Sequence, residues 1–273
     1  MKTSNTIFKI SIGLITLILF AFFLTTLGNI VWKGLGSILD SLNNEEILFA
    51  IRLSLLTSIT STLICLFFAL PVAYGLERYR FPGRKLIRVV LNIPLSLPPL
   101  VSGVALLLLF ATTSFGAGLA AMGLNFIFSV NGIILAQFFI ITPYMIRVLE
   151  STFRDINPRL EFVARTLGCS QWQAFYKITL PLAKNGIIGG LVISWSRAIG
   201  EFGCALMVAG ATRMVTETLP VALFLNMSIG NLETAMAAAT CLIIISIVSL
   251  FIFEVLGVEK KVFLVYTNRK GMR

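Results

Sequence analysis

The sequence predicts an all-α integral membrane protein with six transmembrane helices in a single domain over residues 1–273. Hydrophobic residues make up 57% of the chain and charged residues only 12%, and a soluble domain cannot cover that much apolar surface with so few charges. Apolar runs of roughly twenty residues, long enough to cross a ~30 Å hydrocarbon core, recur along the chain. They occupy about residues 8–31, 48–76, 86–110, 132–149, 187–209 and 234–256.

The first of these runs, residues 8–31, follows Lys2 and contains Lys9 near its start. A charged start before an apolar stretch is also typical of a secretory signal peptide. This run is longer than a signal core, and no small-residue cleavage site follows it. We therefore predict that it is retained as the first transmembrane helix.

The distribution of basic residues predicts the orientation. Eighteen Lys and Arg residues fall in the N-terminal segment, the 77–88 loop, the 147–184 segment and the tail after Leu256, whereas three fall in the opposite loops. Cytoplasmic loops carry the excess of Lys and Arg, so both termini are predicted to be cytoplasmic, in the cytoplasmic (plasma) membrane. The formal charge of +10 thus indicates anchoring against membrane lipid rather than nucleic-acid binding.

The residue inventory excludes several kinds of chemistry. The chain has no histidine, which removes His-based acid–base catalysis and the usual His-containing metal sites. A Ser–Lys hydrolase is excluded as well, because no lysine lies in the middle of an apolar run. The four cysteines are scattered, and Cys in an apolar segment behaves as a small hydrophobe. We predict no catalytic residue, no cofactor-binding residue, no metal and no disulfide in this chain.

A polar insert at residues 157–181 interrupts the apolar runs and is predicted to begin with a short helix. Asn157 followed by Pro158 is a favourable helix start, and Gly168 is typical of the residue just past a helix C-terminus. An apolar stripe with helical spacing lies between them. It is formed by Leu160, Val163, Ala164 and Leu167.

Charged and capping residues complete the insert. Glu161 and Arg165 are adjacent at i, i+4 on another face of the first helix. Ser170 with Gln173 three residues later predicts a capping box that opens a second helix, which Pro181 is expected to end. A first helix of under three turns is marginal in water by itself, so its stripe needs a surface. The pattern alone leaves open whether the helix rests on the membrane or on the protein's own bundle, or docks on a partner.

The insert resembles the cytoplasmic-loop EAA motif of permease subunits of ABC importers. The matching residues, in order and spacing, are Glu161, Ala164, Gly168, Ile178, Leu180 and Pro181, with Val163 at the position of the first Ala. In that family the helix before the Gly is a coupling helix that docks into a groove on the ATPase subunit. The resemblance implies the ATPase-coupling residues Glu161, Ala164, Arg165, Leu167 and Gly168. No G-x-x-x-x-G-K-[ST] sequence is present, so ATP and Mg are expected on the partner subunit.

A charged pair interrupts the fifth apolar run, residues 187–209. Arg197 and Glu201 are four residues apart, on one face of a predicted helix, and one charge at the bilayer centre costs at least ~2.5–3.5 kcal/mol. We expect the two to pair and to face the bundle interior, with Gly203 allowing close backbone packing beside them. Arg197, Glu201 and Gly203 are therefore candidates for the translocation pathway or its gate. The alternative is a structural ion pair that ties helices together.

The third run contains four helix-disrupting residues, Pro94, Pro98, Pro99 and Gly103. Irregular backbone at membrane depth is tolerated where protein or water covers it. The stretch therefore predicts either a broken helix beside a pathway or a plain proline kink packed by neighbouring helices.

Further stretches resemble molybdate, tungstate and sulfate permeases of the same importer family. They are RFPG with PLSLPPLVSGVALLLLF, SRAIGEFG and GATRMVTETLPVA. The resemblance implies the type I ABC importer permease fold, a homodimer, two ATPase subunits and an extracytoplasmic oxyanion-binding protein. It favours molybdate or tungstate as cargo, with a sulfate/thiosulfate permease as the alternative. A passive channel or secondary carrier is the more distant alternative, and would need no docking helix.

Overall fold

In the computed structural model, residues 2–41 and 44–255 are described, and every regular element in them is helical, which confirms the all-α class. The basic tail after Leu256 lies outside the described residues. The helices are α1 (Lys2–Ser41), α2 (Glu45–Arg78), α3 (Arg84–Asn92), α4 (Pro99–Thr112), α5 (Ser114–Ala121), α6 (Val130–Asp155), α7 (Arg159–Thr166), α8 (Gln171–Ala174), α9 (Leu180–Ile199), α10 (Gly203–Ala209), α11 (Leu219–Ser228) and α12 (Leu232–Val255). A 3-10 turn, Ile93–Leu95, follows α3, and a π turn, Phe175–Thr179, joins α8 to α9.

Five helical segments in the described residues are long and apolar enough to cross a membrane. They are Phe8–Gly34, Glu45–Arg78, Val130–Asp155, Gln171–Ile199 and Leu232–Ile252. A sixth span results if α3 with its 3-10 turn and α4 are counted together, although the two are bent by 112°.

The bend between α3 and α4 is the broken helix that was one of the two interpretations of the proline-rich run. Pro94 lies in the 3-10 turn, and Pro98 adopts an extended conformation with φ −55° and ψ 136°. Pro99 then occupies the first position of α4, where its missing N–H costs nothing. The third predicted span, residues 86–110, is therefore two helices rather than one straight rod.

Polar caps begin several of the helices that the sequence places in the membrane. The Asn44 side chain accepts a hydrogen bond of 2.9 Å from the Glu46 amide at the start of α2, and Ser129 accepts one of 3.3 Å from the Gly132 amide at the start of α6. Each cap satisfies an N–H that the first turn of a helix leaves without a partner.

The prediction that Pro181 ends the second helix of the insert is wrong. Helix runs without interruption from Gln171 to Ile199. Pro181 lacks an N–H and would crowd the preceding turn of an ordinary α-helix. The π turn over Phe175–Thr179 lies in that preceding stretch, and its wider ladder allows the helix to continue through the proline.

The fifth predicted span, residues 187–209, is interrupted where the sequence predicted a continuous helix. Helix α9 ends at Ile199, Gly200 to Phe202 are non-helical, and α10 begins at Gly203. Glu201 therefore lies in the break and not on the helix that carries Arg197. The small Gly200 and the capping capacity of Glu201, described below, favour a stop here.

The centre of the bundle is formed by α2, α6 and α9, which pack against one another along much of their lengths. Their shared core includes Cys65, Met145, Leu149, Phe153 and Ala198. Helix α4 packs closely on α10, because a Cβ on Gly103 would lie only 2.8 Å from the Cys204 carbonyl oxygen. Such close backbone approach is typical of small residues at membrane helix interfaces. Helix α1 packs against α12, and its membrane-length part is exposed.

Candidate functional site

Helix α7 is held against the end of the bundle by Glu161. One carboxylate oxygen accepts hydrogen bonds from Arg78 Nε at 3.0 Å and from Thr179 Oγ1 at 2.7 Å. The other accepts from the Tyr74 hydroxyl at 2.8 Å. The side chains of Arg78 and Glu161 are 9% and 13% exposed, so the ion pair is largely shielded from water. Glu161 therefore joins α7 both to the end of α2 and to the π turn that leads into α9.

The partners of Glu161 were missed by the sequence analysis, which placed it beside Arg165. Arg165 is exposed, whereas Glu161 pairs with Arg78. Arg78 also donates a 2.9 Å hydrogen bond to the Ile156 carbonyl just before α7. No spacing rule links residues more than eighty positions apart, so the sequence carried no local signal for this contact.

The predicted apolar stripe of α7 divides between two surfaces. Ala164 is 8% exposed and faces the bundle, whereas Val163 and Leu167 are 52% and 80% exposed. Leu160 and Phe162 are exposed as well. The end of the protein that carries the basic 77–88 loop therefore has an uncovered apolar surface on a helix that Glu161 holds in place.

Gly168 ends α7 as predicted. Its φ is +92°, a left-handed conformation that glycine adopts without steric cost. The Cys169 amide then donates back to the Ala164 carbonyl at 3.1 Å, which satisfies one of the last carbonyls of the helix. The capping box is also present, with Ser170 and Gln173 bonded reciprocally. This turn reverses the chain between α7 and the long helix that follows.

The Arg197–Glu201 ion pair lies at the break between α9 and α10. Arg197 Nη2 is 2.7 Å from Glu201 Oε2, and the Glu201 side chain is 1% exposed while that of Arg197 is 30% exposed. Glu201 Oε1 accepts a 2.9 Å hydrogen bond from the Cys204 amide. The same carboxylate therefore caps α10 and pairs with Arg197, the more exposed partner of the two.

Gly203 is brought to the same place, at the first turn of α10. A Cβ there would lie 3.1 Å from Pro99 Cβ and 3.4 Å from the Leu100 amide. Its role in the described chain is thus to let the start of α4 approach the break. The three predicted pathway residues are therefore brought together with the broken third span.

A row of buried hydroxyl groups on α2 extends from this region and was not singled out from the sequence. It consists of Ser54, Thr57, Ser58, Ser61 and Thr62. Ser58 Oγ accepts from Trp195 Nε1 at 2.9 Å, and Ser61 Oγ donates to Gln137 Oε1 at 3.2 Å. Gln137 Nε2 in turn donates to the Ala198 carbonyl at 3.1 Å, next to Arg197. The helical spacing of these hydroxyls was the signal that could have found them.

The helical bundle has membrane-length helices, a short helix anchored at one end by a shielded ion pair, and a charged pair at a helix break. These features are those of an integral membrane protein. Residues 66–259 match the family described as binding-protein-dependent transport system inner membrane component. The chain belongs to this family, and is the membrane permease subunit of an ABC importer.

Individual relatives come from two kinds of transport system. The chain is 34% identical over 241 residues to the probable molybdenum ABC transporter permease protein of Haloferax volcanii, covering 88% of this chain and 87% of the relative. It is 32% identical over 227 residues to the sulfate transport system permease protein CysW of Synechocystis, covering 82% of each. The bacterial alginate ABC transporter in complex with a periplasmic protein has the same fold, with a TM-score of 0.69 and 20% identity over 90% of this chain and 91% of that one.

Proposed function

We propose that this permease subunit carries a tetrahedral oxyanion into the cell, and that the cargo is molybdate or tungstate. The observation that carries the proposal is the pair of relatives, at 34% and 32% identity, from molybdenum and sulfate systems. Molybdate, tungstate and sulfate are all tetrahedral dianions, so both relatives support this class of cargo. The stretch around Gly200 to Gly210, which resembles molybdate permeases, favours molybdate or tungstate over sulfate.

The proposed assembly is a homodimer of this chain with two ATPase subunits and an extracytoplasmic oxyanion-binding protein. One chain carries one coupling helix and so matches one ATPase subunit, and two copies of each make a closed, symmetric complex. ATP and Mg bind on the ATPase subunits. The complex of the alginate transporter with a periplasmic protein supports a binding-protein partner on the side of the membrane opposite the ATPase. The distribution of Lys and Arg favours both termini on the cytoplasmic side.

The geometry supports a route from the ATPase to the pathway. The exposed side of α7, with Phe162 and Leu167, provides an apolar surface for the ATPase groove. Displacement of α7 is transmitted through Glu161 to Thr179, at the start of the helix that continues to Arg197. With the ATPase docked on α7, this route would connect it to the charged pair and supply a coupling free energy between distant sites.

Arg197 is the proposed oxyanion contact of the pathway. Its guanidinium presents several donors in a plane that suits a tetrahedral oxyanion. Glu201 keeps the affinity low, because its negative charge opposes a bound anion. A weak, exchangeable site of this kind is what passage through a pathway needs.

The proposal is tested by reconstituting the permease in proteoliposomes with its ATPase and binding protein. Uptake and ATP turnover are measured with the binding protein loaded with molybdate, tungstate or sulfate in turn. We expect stimulation by molybdate and tungstate. Stimulation by sulfate alone would overturn the choice of cargo, and uptake by the permease alone without ATP would support a passive channel or carrier.

A further inference from the structure

Helix α3 has an apolar side that nothing in the described chain covers. Its residues Leu86, Val89, Val90 and Ile93, the last in the following 3-10 turn, have the spacing of one helical stripe and are 44% to 66% exposed. None of the residues of α3 is buried. The helix follows the basic end of α2 and is turned 112° away from α4. A short helix with a basic side and an apolar side, at the end of a span, is typical of the membrane interface.

The start of α3 forms a basic pocket. Its lining includes Arg80, Arg84 and Lys85. Arg84 contacts Glu77 at 3.7 Å, and Arg88, one turn further on, is paired with Glu150 at 2.7 Å. Among the described residues, Arg80 and Lys85 take part in no ion pair. The pocket therefore retains two positive charges that no carboxylate of the described residues neutralises.

An apolar groove lies at the other end of α3, between this helix, α2 and α6. The cavity has a volume of about 440 Å³ and is lined by Phe68, Val72, Val90, Phe138 and Pro143, among others. Lys85 and Val90 are five residues apart, about 7.5 Å along a helix that rises 1.5 Å per residue. The exposed stripe of α3 joins the basic pocket to the groove without interruption.

We propose that the basic pocket and the groove are two parts of one binding site for an anionic phospholipid. The phosphate group binds between Arg80 and Lys85, and one acyl chain follows the stripe and occupies the groove. The charges select an anionic headgroup, while the apolar walls select the hydrocarbon chain. This occupant satisfies both features at once, which neither a free phosphate nor an uncharged helix of a partner would do.

The bound lipid also has a structural consequence. The groove includes Pro94 of the 3-10 turn as well as Val72 of α2, so an acyl chain there supports the bend between α3 and α4. The broken third span is thereby stabilised from the lipid side. Because this inference uses only α2, α3 and α6, it does not depend on the identity of the transported anion.

The experiment is native mass spectrometry of the purified permease complex in nanodiscs and after detergent extraction, with phosphatidylglycerol or phosphatidylcholine added. We expect phosphatidylglycerol to bind preferentially. The double variant Arg80→Gln/Lys85→Gln should bind it about thirty-fold more weakly, because each basic residue at an anionic surface contributes about 1 kcal/mol. Arg80→Lys/Lys85→Arg keeps both charges and should bind as the wild type. Lys177→Gln/Lys184→Gln, a matched loss of two charges elsewhere, should also bind as the wild type.

A second variant tests the acyl chain. Val90→Trp places a large side chain in the groove and should reduce binding of phosphatidylglycerol, while inorganic phosphate alone should not raise the unfolding temperature of the wild type. Equal binding of both lipids, or unchanged phosphatidylglycerol binding in Arg80→Gln/Lys85→Gln, would overturn the headgroup site. Unchanged binding in Val90→Trp, stabilisation by phosphate alone, or a crosslink from the variant Val90→Cys to the second copy would overturn the lipid as occupant.

Discussion

Replacing Glu161 by alanine should detach α7 from the bundle. The substitution leaves Arg78, whose side chain is 9% exposed, without its charge partner, and breaking a buried ion pair in this way costs about 3–5 kcal/mol. The hydroxyls of Tyr74 and Thr179 lose the same acceptor, but these losses are not added, since three donors share one carboxylate. An eight-residue helix has little stability of its own. The free energy that holds α7 in place should therefore be largely lost.

The assay is hydrogen exchange of residues 159–169 in the purified complex, together with substrate-stimulated ATP turnover. A loss of 3–5 kcal/mol corresponds to exchange that is faster by roughly 10²- to 10⁴-fold. Glu161→Gln keeps an acceptor and should give a smaller effect. In the permease purified without its ATPase, Arg165→Ala, on the exposed side of the same helix, should leave exchange within about threefold, as surface substitutions usually stay within ±0.5 kcal/mol. Unchanged exchange and fully coupled ATP turnover in Glu161→Ala would refute the anchoring role.

Three further outcomes follow from the same structure. Arg197→Ala should destabilise the permease by about 3–5 kcal/mol because it leaves Glu201 unpaired. Adding Glu201→Gln should restore the unfolding temperature but not uptake. Recovery of full uptake in the double variant would show that the pair is structural only. Leu167→Glu should leave the unfolding temperature of the permease unchanged but reduce copurification of the ATPase, and undiminished copurification would exclude this surface from docking. Burial and the neighbouring Glu46 carboxylate raise the pKa of Glu217 above its ordinary 4.5. The protonated form of Glu217 is thus favoured in the folded state. Its contribution to the free energy of unfolding is complete below pH 4.5 and is lost as the pH rises through the raised pKa. Thermal unfolding of Glu217→Gln should lack this pH dependence.

The helical architecture could be predicted from the sequence because hydropathy and length are properties of single segments. The apolar runs placed four of the membrane-length helices but not the bend in the third run or the break in the fifth, and Gly168 and Ser170 marked the ends of short helices through local rules. The bend after α3 was predicted only as one of two interpretations, since prolines show where a ladder is interrupted but not by how much the axis turns. That angle depends on the packing of α4 against α10.

The errors have a common physical cause. Pro181 was expected to end a helix because the rule for proline assumes an α ladder before it, and the π turn at Phe175–Thr179 removes that assumption. Glu201 was placed on the helix of Arg197 because a spacing of four residues is compatible with a helix but does not require one. The ion pair formed all the same, since a carboxylate just past a helix end can reach back to the last turn.

The anchor of the candidate coupling helix was the least accessible feature from sequence. Tyr74 and Arg78 lie at the end of α2, and their contact with Glu161 depends on how α2, α6 and α9 pack side by side. An i, i+4 rule considered only Arg165. Contacts between residues this far apart in the sequence can be found only from the structure or from a set of aligned sequences, and a single sequence provides neither.

The π turn at Phe175–Thr179 determines the directions in which the side chains of the following helix α9 point. Each residue of an α-helix advances the azimuth by about 100°, so the extra residue accommodated there offsets the side chains toward Arg197 from those toward Trp172 by a similar angle. The hydrogen bond from Thr179 to Glu161 lies at the end of this turn, so the offset applies to every side chain from there to Arg197. One extra residue in the π turn thus changes the directions in which the side chains at the two ends of this long helix point.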